Sequence, residues 1–277
     1  MRYEPSDYWQ RLHERGDLSG VGQSGLPESI NAWLYRALAT NLARFIHKHE
    51  AAIGQPARVF EIGVGTGYWI DLWRRLGARR VDGCDLVPNA VDRLNAIYGS
   101  SGYRFFTADI TSPTRLTDAS YDLVAVLNVF LHIVDTTGFR QALRNAARLV
   151  APGGTLILAE PLLFHSAWEQ PLHSGLSSVA RDQRAYLDEL EAEGLRLVAL
   201  EPATVLANNP IEAGSRAGYG LLRIWWGLVS ALSKISPHTA VLVGPLVYAC
   251  DQIAMHTGWA PSTKLVLLSR PRSSWSL

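Results

Sequence analysis

The stretch VFEIGVGTGYW, residues 59–69, sets Gly63, Gly65 and Gly67 on alternate positions directly behind an apolar run that carries Glu61. Glycine loses the most backbone freedom on folding and brings no side chain to pack. Such a cluster therefore marks a close approach of main chain to another group. The apolar run, the glycines and the following YWIDLWRRLG (68–77) read as strand, turn and helix. In an open α/β sheet that turn lies at the carboxyl end of the first strand, where ligands bind. It presents backbone N–H groups and a helix N-terminus to them. A dinucleotide site calls for G-x-G-x-x-G, whereas the spacing here is G-x-G-x-G.

The same alternation runs outward from the loop. RRVDGCD (79–85), YRFFTAD (103–109), YDLVAVLN (121–128) and TLILAEP (155–161) read as strands. PNAVDRLNAIYG (88–99) and residues 136–150 read as helices, the second ended by Pro152-Gly153-Gly154. A helix over 183–194 and strands over 195–206 and 263–271 complete the series. Strands separated by helices pair in parallel through right-handed crossovers, with both sheet faces covered. The expected fold is thus a doubly wound, seven-stranded, mostly parallel α/β sheet. Its domain is expected to take in residues 51–206 and 262–277. Residues 1–50 read as an N-terminal lid segment, irregular to residue 26 and helical from Pro27 to His49. Residues 207–261 read as an apolar helical insertion, a hairpin on the body of the domain; a cap, a dimer interface and a membrane-surface patch over 211–258 are its other readings.

Polar residues recur where these strands end. Asp85 closes the second, where a carboxylate can accept both hydroxyls of a ribose. Asp109 ends the third, placed to accept from an exocyclic adenine amine, and Asn128 ends the fourth. Together with the glycine loop they describe a nucleoside pocket.

VFEIGVGTGYW, VDGCDLVPNAV, FFTADI, YDLVAVLNVFLHIVD and RLVAPGGTLILAEP, in that order, resemble the class I S-adenosylmethionine-dependent methyltransferases. The resemblance is close over residues 57–161 and elsewhere rests on topology. It implies that Glu61 and Gly63, Gly65 and Gly67 surround the methionine part of S-adenosylmethionine, and that Asp85 binds the ribose with Leu86 beside it. It further implies that Asp109 and Ile110 flank the adenine, and that Asn128 and Val129 line the floor. Small-molecule members often carry a helical lid, for which Trp33 and Tyr35 of NAWLYR are the candidate contacts.

A sulfonium is already a strong methyl donor, so the protein has mainly to hold a nucleophile in line and exclude water. A hydroxyl acceptor also needs a base. His132 and His165 are the candidates, with Glu160 a third. Trp33, Trp168 and Glu160 are expected in the acceptor pocket, and His13, His47, His49 and His173 read as solvent histidines. The expected reaction is methylation of a small molecule, a specialised metabolite or glycolipid hydroxyl, at oxygen. Methylation at nitrogen or carbon, and a non-catalytic cofactor-binding protein docked through 211–258, remain the alternatives.

Several classes are disfavoured. The fourth strand is followed by Asn128-Val129-Phe130-Leu131, unlike the Asp/Asn-Pro-Pro-aromatic run of amino-methylating DNA enzymes. Neither Cys84 nor Cys250 follows a proline, as a cytosine-C5 nucleophile would, and no metal is expected. The ten tyrosines and three lysines hold no Tyr-x-x-x-Lys pair, which argues against a short-chain oxidoreductase. With a formal charge of +1 over 277 residues there is no electrostatic case for nucleic acid as partner. The first thirty residues lack the apolar core of a signal peptide, and no apolar run reaches the roughly 18 residues of a membrane span, so a cytoplasmic location is expected.

Overall fold

Alternation of side chains between two apolar layers, strand by strand, organises the molecule. It is described here by a computed structural model covering residues 4–23, 25–55, 57–112, 120–164, 170–171 and 177–272. In chain order the helices are α1 (Pro5–His13), α2 (Leu18–Val21), α3 (Glu28–Lys48), α4 (Glu50–Ile53), α5 (Ile70–Arg75), α6 (Pro88–Tyr98), α7 (Thr136–Leu149), α8 (Gln183–Ala192), α9 (Arg216–Ile235) and α10 (Pro237–Ala254). The strands are β1 (Arg58–Ile62), β2 (Arg80–Asp85), β3 (Phe105–Thr107), β4 (Tyr121–Leu127), β5 (Val150–Glu160), β6 (Leu162–Leu163), β7 (Gln170–Pro171), β8 (Val179–Asp182), β9 (Arg196–Pro202) and β10 (Lys264–Ser269).

Seven strands form one sheet in the order β3-β2-β1-β4-β5-β10-β9. β1 pairs in parallel with β2 and β4, while β10 runs antiparallel to both β5 and β9. The seven-stranded, mostly parallel sheet is therefore as expected. Period-two alternation sorts its side chains. Val59, Leu123, Ala125, Ile157, Leu265 and Leu267 face α3, α5 and α6, and Phe60, Val124, Val126, Leu158, Val266 and Leu268 face α7 and α8. A strand buried on both faces reads as a continuous apolar run, which is why β1, β4 and β10 look so uniform in sequence.

Two local expectations are corrected. The N-terminal segment is not irregular up to residue 26, since α1 and α2 lie within it. α1 starts on Pro5, whose fixed φ suits a first helical turn, and α2 is capped by Asp17, which accepts from Ser19 N–H at 2.8 Å. Pro152-Gly153-Gly154 does not separate helix from strand; β5 begins at Val150 and continues through it. Gly153 N–H donates to Arg270 O and Arg270 N–H to Gly154 O, so this corner of the chain stays paired.

α9 and α10 form a hairpin joined by a capping box in which Ser236 and Thr239 satisfy each other's backbone amides. Val229 of α9 and Ala240 and Val247 of α10 pack with Ile30, Leu34 and Ala37 of α3 in a third apolar cluster. Asp251, fully buried near the end of α10, supplies the polar anchor. Its Oδ1 accepts from the amides of Val205, Leu206 and Ala207 at 2.8–3.0 Å, and Oδ2 accepts from Asn41 of α3 at 3.2 Å.

Candidate active site

The three loop glycines all take positive φ, at 75°, 51° and 81°. At Gly63 an added Cβ would stand 2.4 Å from Val129 Cγ2, and at Gly67 2.5 Å from Leu94 Cδ2. Both conformation and space therefore demand glycine at these two positions. Beneath the loop, the Glu61 carboxyl is buried; Trp73 Nε1–H donates to its Oε2 at 2.8 Å, and Oε1 has no hydrogen-bond partner. Burial, with the Asp85 charge adding to it and the Trp73 bond opposing, pushes Glu61 up to about 8.

A cavity of about 400 Å³ opens over this loop, within the range usual for small-molecule sites. Gly63, Gly65, Asp85, Leu86, Asp109, Ile110, Asn128, Val129 and Tyr35 all line it. Asp85 accepts from Gly65 N–H at 2.8 Å and Val87 N–H at 3.0 Å, tying the loop to the end of β2. Asp109 lies two residues beyond β3, where it accepts from Thr111 N–H at 2.9 Å and Thr111 Oγ1–H at 2.7 Å. Asn128 has φ of 57°, alone among the described non-glycine residues, and asparagine tolerates that left-handed geometry better than most. The bend turns the chain off β4 and into the cavity wall. Gly67 and Glu61 support the loop from behind and do not line the cavity.

A second, narrower recess of about 120 Å³ adjoins the first. The two share Trp9, Val21, Tyr35, Asn128 and His132. The polar lining of the recess is neutral, drawn from Gln23, Asn31, Asn208, Asn209, Thr204 and Thr263 among others, and no Asp, Glu, Lys or Arg lines it among the described residues. A hydrogen-bond chain holds part of this wall. Gln23 Nε2–H donates to Asn208 Oδ1 at 2.6 Å, and Asn208 Nδ2–H donates to Thr263 Oγ1 at 2.9 Å.

His132 stands at the junction. Its Nδ1 lies 2.9 Å from the Ser177 carbonyl oxygen, which can only accept, so Nδ1 carries the proton. In the neutral ring the basic lone pair is then on Nε2. The Trp9 ring meets the imidazole edge-on, with centroids 4.6 Å apart.

Two of the expected acceptor-pocket residues lie elsewhere. Glu160 is fully buried and lines neither cavity. Its carboxylate accepts from the amides of Val129, Phe130 and Leu131 at 2.8–3.0 Å and so clamps the turn that carries His132; burial pushes it up to about 7 against the pull of those bonds. Trp33 faces α10, where the Gly244 position leaves room for its ring, and packs on Tyr248 at 5.6 Å. His165 and Trp168 lie outside the described residues.

Sequence reasoning passed over Trp9 and His13. His13, read as a solvent histidine, lines the larger cavity; its Nδ1 is buried without a partner, and burial holds the imidazole below the usual histidine range although the Asp85 charge works the other way. The one available signal was Pro5 heading a short run with Trp9 and His13 four residues apart.

Residues 59–154 match the family model of the methyltransferase domain. The chain is 32% identical over 130 residues to ribosomal protein L11 methyltransferase of Geobacter sulfurreducens, covering 46% of this chain and 41% of that protein. It spans only 41–43% of the length of the curated relatives it matches. Among solved structures, an S-adenosylmethionine-dependent methyltransferase of Mesorhizobium loti superposes with a TM-score of 0.51 at 16% identity, over 83% of this chain and 98% of that one. The N-methyltransferase NodS of Bradyrhizobium japonicum, in complex with S-adenosyl-L-homocysteine, gives 0.50 at 15%, over 89% and 100%. At such identities the two superpositions speak for the fold.

Proposed function

We propose that the chain, whose residues 59–154 match the methyltransferase-domain model, is a class I S-adenosylmethionine-dependent methyltransferase that methylates the hydroxyl of a neutral small molecule. The observation that carries this reading is the meeting of the two cavities at Trp9, Val21, Tyr35, Asn128 and His132. S-adenosylmethionine supplies an electrophilic methyl group. The larger cavity suits it: a glycine loop without side chains, a carboxylate at the end of β2, and an orphaned buried oxygen on Glu61. In this reading the methionine part of the cofactor lies over the glycine loop, its α-ammonium charge answered by the buried Glu61 carboxyl behind that loop, Asp85 takes the ribose, and Asp109 with Ile110 borders the adenine.

The narrow recess receives the reacting end of the acceptor. Its uncharged amides and hydroxyls would leave a cationic amine without a counter-charge, which favours a hydroxyl. His132 takes the hydroxyl proton at Nε2, held in the right tautomer by Ser177 and in place by the Glu160 clamp. Trp9 and Tyr35 close the junction against water. The acceptor class this reading favours is a specialised metabolite or a glycolipid whose hydroxyl end enters the recess, and two free thiols, Cys84 and Cys250, suit a reducing cytoplasmic setting.

The test pairs calorimetry with product analysis. S-adenosylmethionine and its demethylated product should both bind, and a panel of alcohols, phenols and amines with isotopically labelled cofactor should yield O-methyl products by mass spectrometry. Cofactor binding with transfer only to amines would overturn the hydroxyl assignment. No cofactor binding would remove the whole reading.

A further inference from the structure

α9 and α10 are apolar on the side that packs on α3, as a core hairpin must be, and apolar again on the side that does not. Leu221, Ile224 and Leu228 recur along one outward stripe of α9, and Leu242, Leu246 and Ile253 continue the surface on α10; each is 55–75% exposed. The intervals of three, four and seven residues put them on common faces, not scattered singly. A surface helix that only has to contact water would carry charge there.

The charge that is present has one sign. Residues 213–250 include Arg216, Arg223 and Lys234 and no aspartate or glutamate, while the whole chain is nearly balanced at 26 basic and 25 acidic residues. All three basic residues are exposed, Arg223 also donating to Asn209 at 3.0 Å. Glu212 and Asp251, the acids at either end, are buried, in a bond to Lys264 and in the Asp251 anchor. Tyr219, Trp225 and Trp226 sit half-buried among these residues, and Trp259 is exposed just beyond. Apolar stripe, basic-only flanks and amphipathic rings are the composition of a helix that lies in a lipid interface. No helix among the described residues is long and apolar enough to cross a membrane.

We propose that the outer face of the α9–α10 hairpin docks on an anionic lipid surface, its leucines and isoleucines entering the headgroup boundary and Arg216, Arg223 and Lys234 meeting lipid phosphates. Charge complementarity selects this occupant over a second copy of the chain. Two hairpins face to face would bring basic residues together with no carboxylate on either face to answer them. The inference rests on the hairpin alone and does not require methyl transfer.

Co-sedimentation of the full chain with vesicles tests it. Phosphatidylcholine vesicles containing one-third phosphatidylglycerol should pellet the protein, with partition roughly a hundredfold weaker on phosphatidylcholine alone. The Leu228→Glu/Leu242→Glu protein should lose binding while melting as the parent does, because both side chains are exposed. Should that variant misfold, Arg216→Glu/Lys234→Glu decides instead, with binding to the anionic vesicles falling to the neutral-vesicle level. Absence of binding to anionic vesicles, or binding that these folded variants retain, overturns the proposal. So does a concentration-dependent dimer in sedimentation equilibrium that Leu228→Glu dissolves and vesicles leave intact.

Discussion

The two cavities are built by opposite means. The larger is drawn mostly from one stretch of sequence, between Ile62 and Asp135, with only the overlying N-terminal residues and Tyr35 added from outside; it gathers around the glycine loop at the ends of β1 to β4. The recess is assembled from eight separated places, among them α1, the 20–23 turn, α3, the 204–211 loop and residues 262–263, and its polar residues are mostly amides and hydroxyls. A wall drawn from one stretch of chain around a fixed glycine loop suits a ligand that never changes. A wall of amides and hydroxyls borrowed from distant segments suits a ligand whose identity is specific to the protein. Substitutions on the two sides should accordingly separate donor binding from acceptor binding.

The largest effect is expected at the junction. His132→Ala should lower kcat by about 10²–10⁴-fold, the usual contribution of a general base, with cofactor affinity nearly unchanged. Full retention of kcat would show that positioning alone drives transfer. Next, Asp85→Ala should weaken cofactor binding in calorimetry by roughly 1.5–3 kcal/mol, as for a lost charged hydrogen bond, and leave the acceptor KM in place. An unchanged cofactor affinity would mean that the ribose lies elsewhere.

Glu61 tests the donor wall through pH. Its folded pKa of about 8 lies above the ordinary 4.5, so the ligand-free protein holds this proton more tightly than the unfolded chain does. The stabilisation is complete below about 4.5 and is lost as pH rises through about 8. Glu61→Gln should therefore flatten the fall in melting temperature between those limits. Binding of an ammonium-bearing cofactor near neutral pH should release a proton in the parent and not in the variant, measurable by calorimetry in buffers of different ionisation enthalpy. If both release the same number, Glu61 is not the partner. The smallest effect belongs to the acceptor wall. Asn208→Ala should raise the acceptor KM severalfold, about 1 kcal/mol, with cofactor affinity intact; a matching loss in cofactor affinity would dissolve the distinction between the two walls.

This division also governs what could be read without coordinates. The sheet and the glycine loop were legible because apolar runs, Gly63, Gly65 and Gly67, and the strand-end residues Asp85 and Asn128 are local signals. Glu160 misled because standing at a strand end does not tell which way a side chain points; it turns inward to three amides. Trp33 misled because one side of α3 faces the recess and another faces α10, a helix some two hundred residues later. α1 was missed because a helix of nine mostly polar residues with no buried side chain offers too few apolar positions to stand out. What marks it is Trp9 against His132, a contact that spans the chain and leaves no trace in local pattern.

Asp251 holds the 205–207 segment by its amides and asks nothing of the side chains it carries. Position and identity are thereby uncoupled. The neighbouring Asn208, Asn209 and Ile211 face the recess on a loop whose course is fixed from α10. Such a loop can be rewritten, one side chain at a time, without coming adrift. Diversification toward new acceptors would leave its marks at these three positions, while the carboxylate behind them stays the same.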